Sequence, residues 1–251
     1  MNAIDHGRAR ATRIPPSRDL AHRCAGLSGY PSHLVQAMTL RDGTSLTIRP
    51  ICSDDYGLEA DFIRRLSARS GYQRLLSPRK LSRAEIQRFV NIDYTRELAL
   101  IALAVVDNQV RQVGVARYAP EPDGLSHDFG IVVTDEWQGR GLGEALLGSL
   151  VSAAANAGVQ QLTGLTLADN HAMRGLARRL GFHVEREAGD ATVVRLRMAL
   201  NGDQDGRRRS APSAPVVVTR APTLARTAVA FDFDEEDFRV GRWDNKDILM
   251  S

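Results

Sequence analysis

The stretch DEWQGRGLGEALL, Asp135 to Leu147, places three glycines and an arginine between an apolar run and an amphipathic one. A glycine-rich turn of this kind is either a tight bend or a set of backbone N–H groups that can hold phosphate. A P-loop requires Lys followed by Ser or Thr after its last glycine, and here Glu144 follows Gly143. A dinucleotide-binding fingerprint that starts at either of the first two glycines lacks its third glycine. Both of these nucleotide-binding loops are therefore excluded.

The segments before the glycine stretch predict a β-meander. Three strand-like runs, LALIALAVVD, QVRQVGVARYA and SHDFGIVV, follow one another between residues 98 and 133 with short turn signals between them. An earlier alternating segment, SLTIRPI from Ser45, predicts a further strand. Between that strand and the meander, DYGLEADFIRRLSARS is predicted to form one amphipathic helix and RAEIQRFVNI another.

After the glycine stretch the pattern changes to strand, turn and helix. The helix-like segments are GEALLGSLVSAAANAG and HAMRGLARRLGF, the strand between them is QQLTGLTLAD, and HVEREAGDATVVRLRMAL predicts a closing hairpin. Helices interrupt the strands without regular β-α-β repeats. The predicted fold class is α/β in the broad sense (α+β), with a mixed, mostly antiparallel central sheet flanked by helices.

Composition divides the chain into three parts. Residues 1–44 are arginine-rich and lack sustained periodicity, so we expect a flexible arm whose last portion can pack on the domain. Residues 45–200 carry the strand and helix patterns and form the predicted domain. Residues 201–251 have linker composition and then an acidic, aromatic tail.

Composition also excludes several classes of protein. The chain has 251 residues, of which 43% are hydrophobic, and can bury a substantial core. Its net charge of +3 disfavours nucleic acid as a partner, and the arginine-rich arm is the alternative place for such contact. No apolar stretch is long enough to cross a bilayer, so no membrane partner is expected.

The cysteine and histidine content predicts no metal site. Cys24 and Cys52 lack the second pair that a zinc site or a disulfide framework requires, and a reducing cytoplasm is the favoured compartment. The six histidines show no short ligand spacing.

Gln138 to Gly143 match the pattern Gln or Arg, any two residues, Gly, any residue, and Gly or Ala, at a strand-to-helix turn. This pattern resembles the acetyl-CoA-binding signature of the GNAT superfamily of N-acetyltransferases. Its physical basis is general: the first N–H groups of a helix are unpaired, the helix dipole is positive there, and glycines let a pyrophosphate approach the backbone. A glycine-rich connection without a ligand is the alternative for these six residues taken alone.

Two further segments are similar to the same family. GIVV before the loop corresponds to the strand whose backbone pairs with the pantetheine arm, and LADNHAMRGLARRLGF to the segment in which an asparagine contacts that arm. For the asparagine, a plain helix N-cap is the alternative. The resemblance covers about Ser45 to Leu200 and implies the GNAT fold. The cofactor-binding residues that it implies are Ile131, Val132, Val133, Gln138, Gly139, Arg140, Gly141, Leu142, Gly143, Glu144 and Asn170.

Within the superfamily, LRDGTSLTIRPI, RLSARSGYQRLLS and VGVARY make the chain most similar to bacterial protein-lysine acetyltransferases of the Pat type. In their pattern a glutamate stands just before the cofactor-pairing residues, and Asp128 matches it. The implied role is a general base that takes a proton from the acceptor amine. An exposed or ion-paired carboxylate is the alternative, and His127 is the fallback base. Many family members carry a tyrosine acid where this chain has Ala177.

These patterns predict an acetyl-CoA-dependent N-acetyltransferase in which an amine attacks the thioester directly. A protein lysine is the predicted acceptor, and a small-molecule amine is the alternative. A CoA-binding sensor or interaction module without catalysis is a further hypothesis, because the base is shortened and the acid is missing. Arg117, Tyr118 and Tyr72 are candidates to line the acceptor pocket, with core or surface packing as the other interpretation of each.

Overall fold

A computed structural model describes residues 24, 26–75 and 81–200, and for residues 72–75 the backbone alone. Its strands are β1 (Gln36–Thr39), β2 (Ser45–Pro50), β3 (Leu98–Val106), β4 (Gln109–Pro120), β5 (Ser126–Val133), β6 (Gln161–Leu167), β7 (His183–Glu187) and β8 (Asp190–Ala199). Within the described residues they form one sheet in the order β1-β2-β3-β4-β5-β6-β8-β7. Each neighbouring pair is antiparallel except β5 and β6. The predicted mixed, mostly antiparallel sheet is confirmed.

The helices are α1 (Tyr56–Arg65), α2 (Ala68–Leu75), α3 (Arg83–Val90), α4 (Leu142–Asn156) and α5 (His171–Arg179). The single helix predicted for DYGLEADFIRRLSARS is wrong, because Leu66 is extended, with ψ at 134°. Ser67 then accepts a hydrogen bond from the backbone N–H of Ser70 and starts a new helix. Among the described helices, none combines the length and the apolar character that a membrane span requires.

The helices cover both faces of the sheet, and each face has its own hydrophobic core. Helices α4 and α5 contribute Leu146, Leu150 and Ala177 to the larger core. On the other face, Phe62 of α1 and Val90 of α3 pack against strand residues in a smaller core. The strands between these two layers are apolar on both sides, which explains the continuous apolar run of β3.

Strands β5 and β6 separate partway along their length. Their parallel pairing ends at Asp128 and Thr163, after which β5 continues beside β4 and β6 beside β8. At the point of separation, a Cβ on Gly164 would lie 2.9 Å from the backbone oxygen of Phe129, so a side chain there would clash. Beyond Asp128, β5 has no strand neighbour on this side among the described residues. We call the resulting wedge the β5–β6 opening.

The last part of the predicted N-terminal arm joins the sheet. Residues 36–39 form β1, an edge strand in which Gln36 pairs with Ile48 of β2. Before it, the Tyr30 hydroxyl donates a hydrogen bond to the Pro50 carbonyl oxygen at 3.0 Å. Most of the arm and the whole C-terminal segment, residues 201–251, lie outside the described residues.

Cys24 and Cys52 form a disulfide, a pairing that no feature of the sequence predicted. Both residues are fully buried, and their Cα atoms lie 6.3 Å apart although 28 positions separate them along the chain. The bond ties the segment before β1 to the end of β2. Disulfides are more typical of oxidising compartments than of the reducing cytoplasm that the cysteine count favoured, and the compartment stays a prediction.

Candidate functional site

The glycine loop leads from β5 into α4 with an open N-terminus. Gly139 and Gly141 have φ values of 72° and 91°, a region that favours glycine, and Gly141 is the N-cap. No side chain of the described residues caps this helix, so its first N–H groups lack partners within it. A Cβ on either glycine would meet no atom within 4 Å. The loop therefore offers free backbone donors beside open space, which is what a phosphate group requires.

The side chain of Gln138 forms hydrogen bonds within the protein that hold the loop in place. Its Nε2 donates hydrogen bonds to the Val133 carbonyl oxygen at 3.0 Å and to Asp135 Oδ1 at 3.1 Å. The Ser70 hydroxyl also donates to Asp135 Oδ1, at 2.5 Å, and so links α2 to the same place. These bonds hold the start of α4 against the end of β5.

Arg140, the cation of the loop, is paired with a carboxylate. Its Nε lies 2.7 Å from Asp42 Oδ2, and its guanidinium carbon lies 4.6 Å from the centre of the Trp137 ring. A further bond runs from Nη2 to Thr44 Oγ1 at 3.4 Å. The turn between β1 and β2, which the sequence analysis did not connect with this site, therefore holds the arginine.

The first turn of α4 packs against α5. Leu142 is fully buried, and a Cβ on Gly143 would lie 3.4 Å from Leu176 Cδ2. Glu144 forms a long, exposed ion pair with Arg179 at 3.8 Å. Leu142 and Gly143 can therefore contact a ligand only through their backbone.

The three implied pantetheine-pairing residues lie along the β5–β6 opening. Ile131, Val132 and Val133 pair with β4 on one side and face the opening with the other. The two valines are each 8% exposed and belong to the two cores. Because their side chains are used in packing, their backbone groups are the part that a ligand can reach.

Asn170 is the N-cap of α5. Its Oδ1 accepts a hydrogen bond from the Met173 N–H at 3.1 Å, and its Nδ2 donates to Thr166 Oγ1 at 3.2 Å. The N-cap interpretation is thus realised in the structure, and the cofactor role stays a prediction.

Asp128 lies at the vertex of the β5–β6 opening with an exposed side chain. Gly130 follows it on the same face, and a Cβ there would meet no atom within 4 Å, so the space above this part of β5 is open. Desolvation by the surrounding protein, helped by the negative charge of Glu121 and opposed by Arg195, raises the pKa of Asp128 to about 7. A carboxyl that solvent can reach and that has a pKa near 7 can exchange protons at neutral pH.

His127 and Ala177 do not share the space around Asp128. His127 points to the opposite face of β5, since successive strand residues alternate, and its ring lies edge-on to Tyr118 at 5.5 Å. Burial lowers the pKa of His127. Ala177 is fully buried in α5 and offers no proton donor. Asp128 is therefore the better placed base of the two candidates.

The candidates for the acceptor pocket have structural roles. The Arg117 Nη2 donates to the Phe89 carbonyl oxygen at 2.9 Å, and its guanidinium stacks 4.3 Å from the centre of the Phe89 ring. Tyr118 is only 4% exposed and belongs to the larger core. The side chain of Tyr72 lies outside the described part of the chain.

Three residues near Asp128 were not predicted as part of the site from the sequence: Glu121, Thr163 and Arg195. The Thr163 hydroxyl donates to Glu121 Oε1 at 2.8 Å, and Arg195 makes two bonds to Glu187 at 2.8 and 2.9 Å. The only signal in the sequence was that each is polar within or next to a strand. Their convergence depends on the strand order, which spacing along the chain does not reveal.

One group of the described residues has the spacing of metal ligands, namely Cys24, Cys52 and Asp55. The two sulfurs are joined in the disulfide, and Arg49 binds both oxygens of Asp55 at 2.7 and 2.6 Å. These atoms are already used, so the group does not offer a metal site.

One family model and several known proteins match this chain. A model of the acetyltransferase (GNAT) family matches residues 66–182. An acetyltransferase of Pseudomonas aeruginosa is 34% identical over 163 residues, which are 64% of this chain and 88% of that protein. The acetyltransferase Pat of Mycolicibacterium smegmatis is 29% identical over 57% of this chain, but the chain spans only 42% of the length of Pat.

A solved structure resembles the fold as well. The GNAT domain of S. lividans PAT superposes with a TM-score of 0.61 and 26% identity. The match covers 68% of this chain and 99% of that domain. The core of the chain, from the β-meander to the closing hairpin, therefore has the architecture of that domain.

Proposed function

Since this chain belongs to the GNAT family of acetyltransferases, we propose that it transfers the acetyl group of acetyl-CoA to the side-chain amine of a protein lysine, with Asp128 as the general base. The observation that carries this proposal is the position of Asp128 at the vertex of the β5–β6 opening. The open N-terminus of α4 begins a few residues beyond the end of the same strand.

The cofactor would contact the backbone of β5 and the glycine loop. The unpaired side of Ile131–Val133 offers strand-type hydrogen bonds to the amides of the pantetheine arm. The N–H groups that follow Gly141 offer donors to the pyrophosphate, and the helix dipole favours its negative charge. Both contacts use main-chain atoms, which fits the burial of the neighbouring side chains.

In the proposed reaction the acceptor arrives as an ammonium ion. The Asp128 carboxylate takes one proton, so that an N–H bond breaks and an O–H bond forms. The freed lone pair attacks the thioester carbonyl carbon; the C–N bond forms, and the C–S bond breaks with its electron pair on sulfur. The nitrogen loses a second proton as the amide forms, and the thiolate takes up one proton. The products are the acetylated amine, free CoA and one net proton.

The absence of a tyrosine at Ala177 is compatible with this scheme. A thiol has a pKa of about 8.5, so its thiolate is a much better leaving group than an alkoxide and can take its proton from water. A lysine, with a pKa of about 10.4, is almost wholly protonated at neutral pH. The proton transfer that needs a catalyst is thus the one from the acceptor ammonium, and Asp128 is the proposed base for it.

A protein lysine is proposed as the acceptor because of the Pat-type sequence similarity. The open face above Gly130 is accessible from outside the domain, which suits a side chain on a macromolecule. A small amine is the alternative acceptor, and an acceptor panel that contains lysine peptides and small amines tests both classes.

Asp128→Asn tests the function directly. We expect the rate of acetyl transfer, measured as release of free CoA thiol, to fall by a factor on the order of 10² to 10⁴, while the dissociation constant for acetyl-CoA from calorimetry is unchanged. Asp54→Asn, which neutralises an exposed aspartate before α1, is the matched control and should retain full activity. If the parent protein binds acetyl-CoA tightly but acetylates no amine, it is a CoA-binding module and the proposal fails.

A further inference from the structure

A second carboxylate is held beside Asp128 by the architecture of the sheet. The Thr163 hydroxyl donates a 2.8 Å hydrogen bond to Glu121 Oε1, and Thr163 is the residue paired with Asp128 at the last position where β5 and β6 are joined. Thr163 is buried, with 3% of its surface exposed. The Glu121 carboxylate is therefore anchored next to Asp128 by a side chain that cannot move freely.

The backbone also fixes Glu121. It stands just after the end of β4, where its N–H donates to the Ser126 carbonyl oxygen at 2.8 Å. This bond closes the turn between β4 and β5. Glu121 is thus held at both its main chain and its carboxylate, whereas most surface glutamates pay a large rotamer entropy cost to stay near a partner.

The positive charge of Arg195 does not cancel the effect of the Glu121 carboxylate on Asp128. Arg195 of β8 attracts both Glu121 and Asp128, but its two hydrogen bonds at 2.8 and 2.9 Å go to Glu187. The charged groups that act on the pKa of Asp128 among the described residues are Glu121 and Arg195. Glu187 lies behind the arginine, and Arg197, which pairs with Thr163 in the β6–β8 ladder, lies on the same face and acts on Glu187. Of the two charges that act on Asp128, the negative charge of Glu121 has the larger effect on its pKa, and Arg195 opposes it.

We propose that Glu121 is a positioning residue for the acetyl transfer, which, anchored by Thr163, makes the neighbouring Asp128 carboxylate a stronger base. The inference rests on the proposed role of Asp128. A negative charge nearby disfavours a second negative charge, so it favours the protonated form of Asp128. The proton that leaves the acceptor ammonium then forms its O–H bond on a carboxylate whose pKa is closer to that of the amine. Glu121 takes no direct part in the proposed proton transfer.

The test is the pH dependence of Glu121→Gln at saturating acetyl-CoA and acceptor. Activity requires the deprotonated form of Asp128, so it rises with pH through the pKa of that residue. Without the charge of Glu121 we expect the midpoint of this rise to move down by roughly half a pH unit or more. The variant should therefore be more active relative to its own maximum at pH 6, and its plateau should be lower because the base is weaker. A purely structural defect would lower activity without moving the midpoint.

Arg195→Gln supplies a shift of the opposite sign. Removal of the positive charge, which also leaves Glu187 unpaired, should move the midpoint to higher pH. Glu185→Gln is the matched control: it removes a negative charge from an exposed residue opposite Arg195 in the ladder, and no charge effect of Glu185 on Asp128 is expected. Acceptor amines of different pKa separate the two titrations in the pH profile of activity. A midpoint that changes with the acceptor belongs to the acceptor amine, and a midpoint that stays constant belongs to the enzyme.

A readout without catalysis makes the outcome unambiguous. The carboxyl carbon resonance of Asp128 in the full chain, assigned by its loss in Asp128→Asn, should titrate at lower pH in Glu121→Gln. If that resonance and the activity midpoint are unmoved while Asp128→Asn is inactive, the role of Glu121 is refuted and the proposed function stands. If Asp128→Asn retains full activity with the parent pH profile, the base assignment itself fails. Either result separates the two proposals.

Discussion

Arg140 of the glycine loop is bound by Asp42, a residue 98 positions earlier in the chain, at 2.7 Å between Nε and Oδ2. Both side chains are about one third exposed. The carboxylate also accepts a hydrogen bond from the Thr44 N–H at 2.9 Å, which fixes the turn between β1 and β2. These bonds, with the guanidinium of Arg140, lower the pKa of Asp42. The main cation of the loop is thus satisfied by the protein before any phosphate arrives.

Asp42→Asn should strengthen acetyl-CoA binding. The amide oxygen can still accept from Thr44, so the turn is kept while the charge that competes with phosphate is removed. Because exposed ion pairs are weak, we expect the dissociation constant to fall by about two- to fivefold at low salt, with less effect at high salt. Isothermal titration calorimetry measures this. Asp61→Asn, which breaks the exposed pair with Arg64 on α1, is the control, and weaker binding by Asp42→Asn would contradict the competition.

Gly130→Val should obstruct the acceptor without unfolding the strand. The new side chain would project onto the face that carries Asp128, where a Cβ meets no protein atom within 4 Å, and valine suits a β-strand. We expect KM for the acceptor to rise by roughly tenfold, while acetyl-CoA affinity and thermal stability change little. Gly130→Ala should give a smaller effect in the same direction. An unchanged acceptor KM in both variants would mean that the acceptor approaches elsewhere.

Asp128→Asn should stabilise the protein at alkaline pH. The folded pKa of Asp128 is about 7, above the value of about 3.9 for an unfolded chain. Between these values the folded state holds more protons than the unfolded state, so this carboxyl lowers stability as pH rises from about 4 to about 7, and the loss is constant above that range. The difference in melting temperature between Asp128→Asn and the parent should therefore be larger at pH 8 than at pH 4. Asp54→Asn, at an exposed aspartate, is the control for the loss of one negative charge.

Loss of the Cys24–Cys52 disulfide should destabilise the domain. The bond closes a loop across 28 positions and is fully buried, so we expect its reduction to lower the free energy of unfolding by about 2–4 kcal/mol. Denaturant unfolding with and without a phosphine reductant measures this. The double variant Cys24→Ala, Cys52→Ala should lose all sensitivity to the reductant. Alkylation of two free thiols in the unreduced, unfolded protein would show that the bond is not formed.

The elements near the glycine loop were predictable because their signals are local. The predicted strand SHDFGIVV coincides with β5, and the predicted helix GEALLGSLVSAAANAG differs from α4 by one or two residues at each end. Gly139 and Gly141 need no tertiary contact to adopt positive φ. The strand and the helix follow from the local hydrophobic pattern, and the turn with its open helix N-terminus follows from the two glycines.

The surroundings of these elements were not predictable in the same way. The charge of Arg195 acts on Glu121 because β8 lies next to β6 in the sheet, whereas the sequence predicted the hairpin but not which of its strands contacts β6. The ion pair of Arg140 with Asp42 likewise joins residues 98 positions apart. Periodicity identifies the face of a strand, and it carries no information about the partner of that strand.

Gly164→Ala tests whether the β5–β6 opening depends on one close approach. A Cβ at this position would lie 2.9 Å from both the backbone oxygen and a ring carbon of Phe129. The ring can rotate, but the carbonyl belongs to β5, so the two strands would have to separate at the position next to Asp128 and Thr163. We expect a loss of about 1–3 kcal/mol in the free energy of unfolding. Because the displaced strand also carries the proposed general base, kcat should fall more than acetyl-CoA affinity. Gly57→Ala, at a helical glycine with open space around it, should leave kcat unchanged. If Gly164→Ala retained both parent stability and parent kcat, the close approach of β5 and β6 at this position would not require glycine.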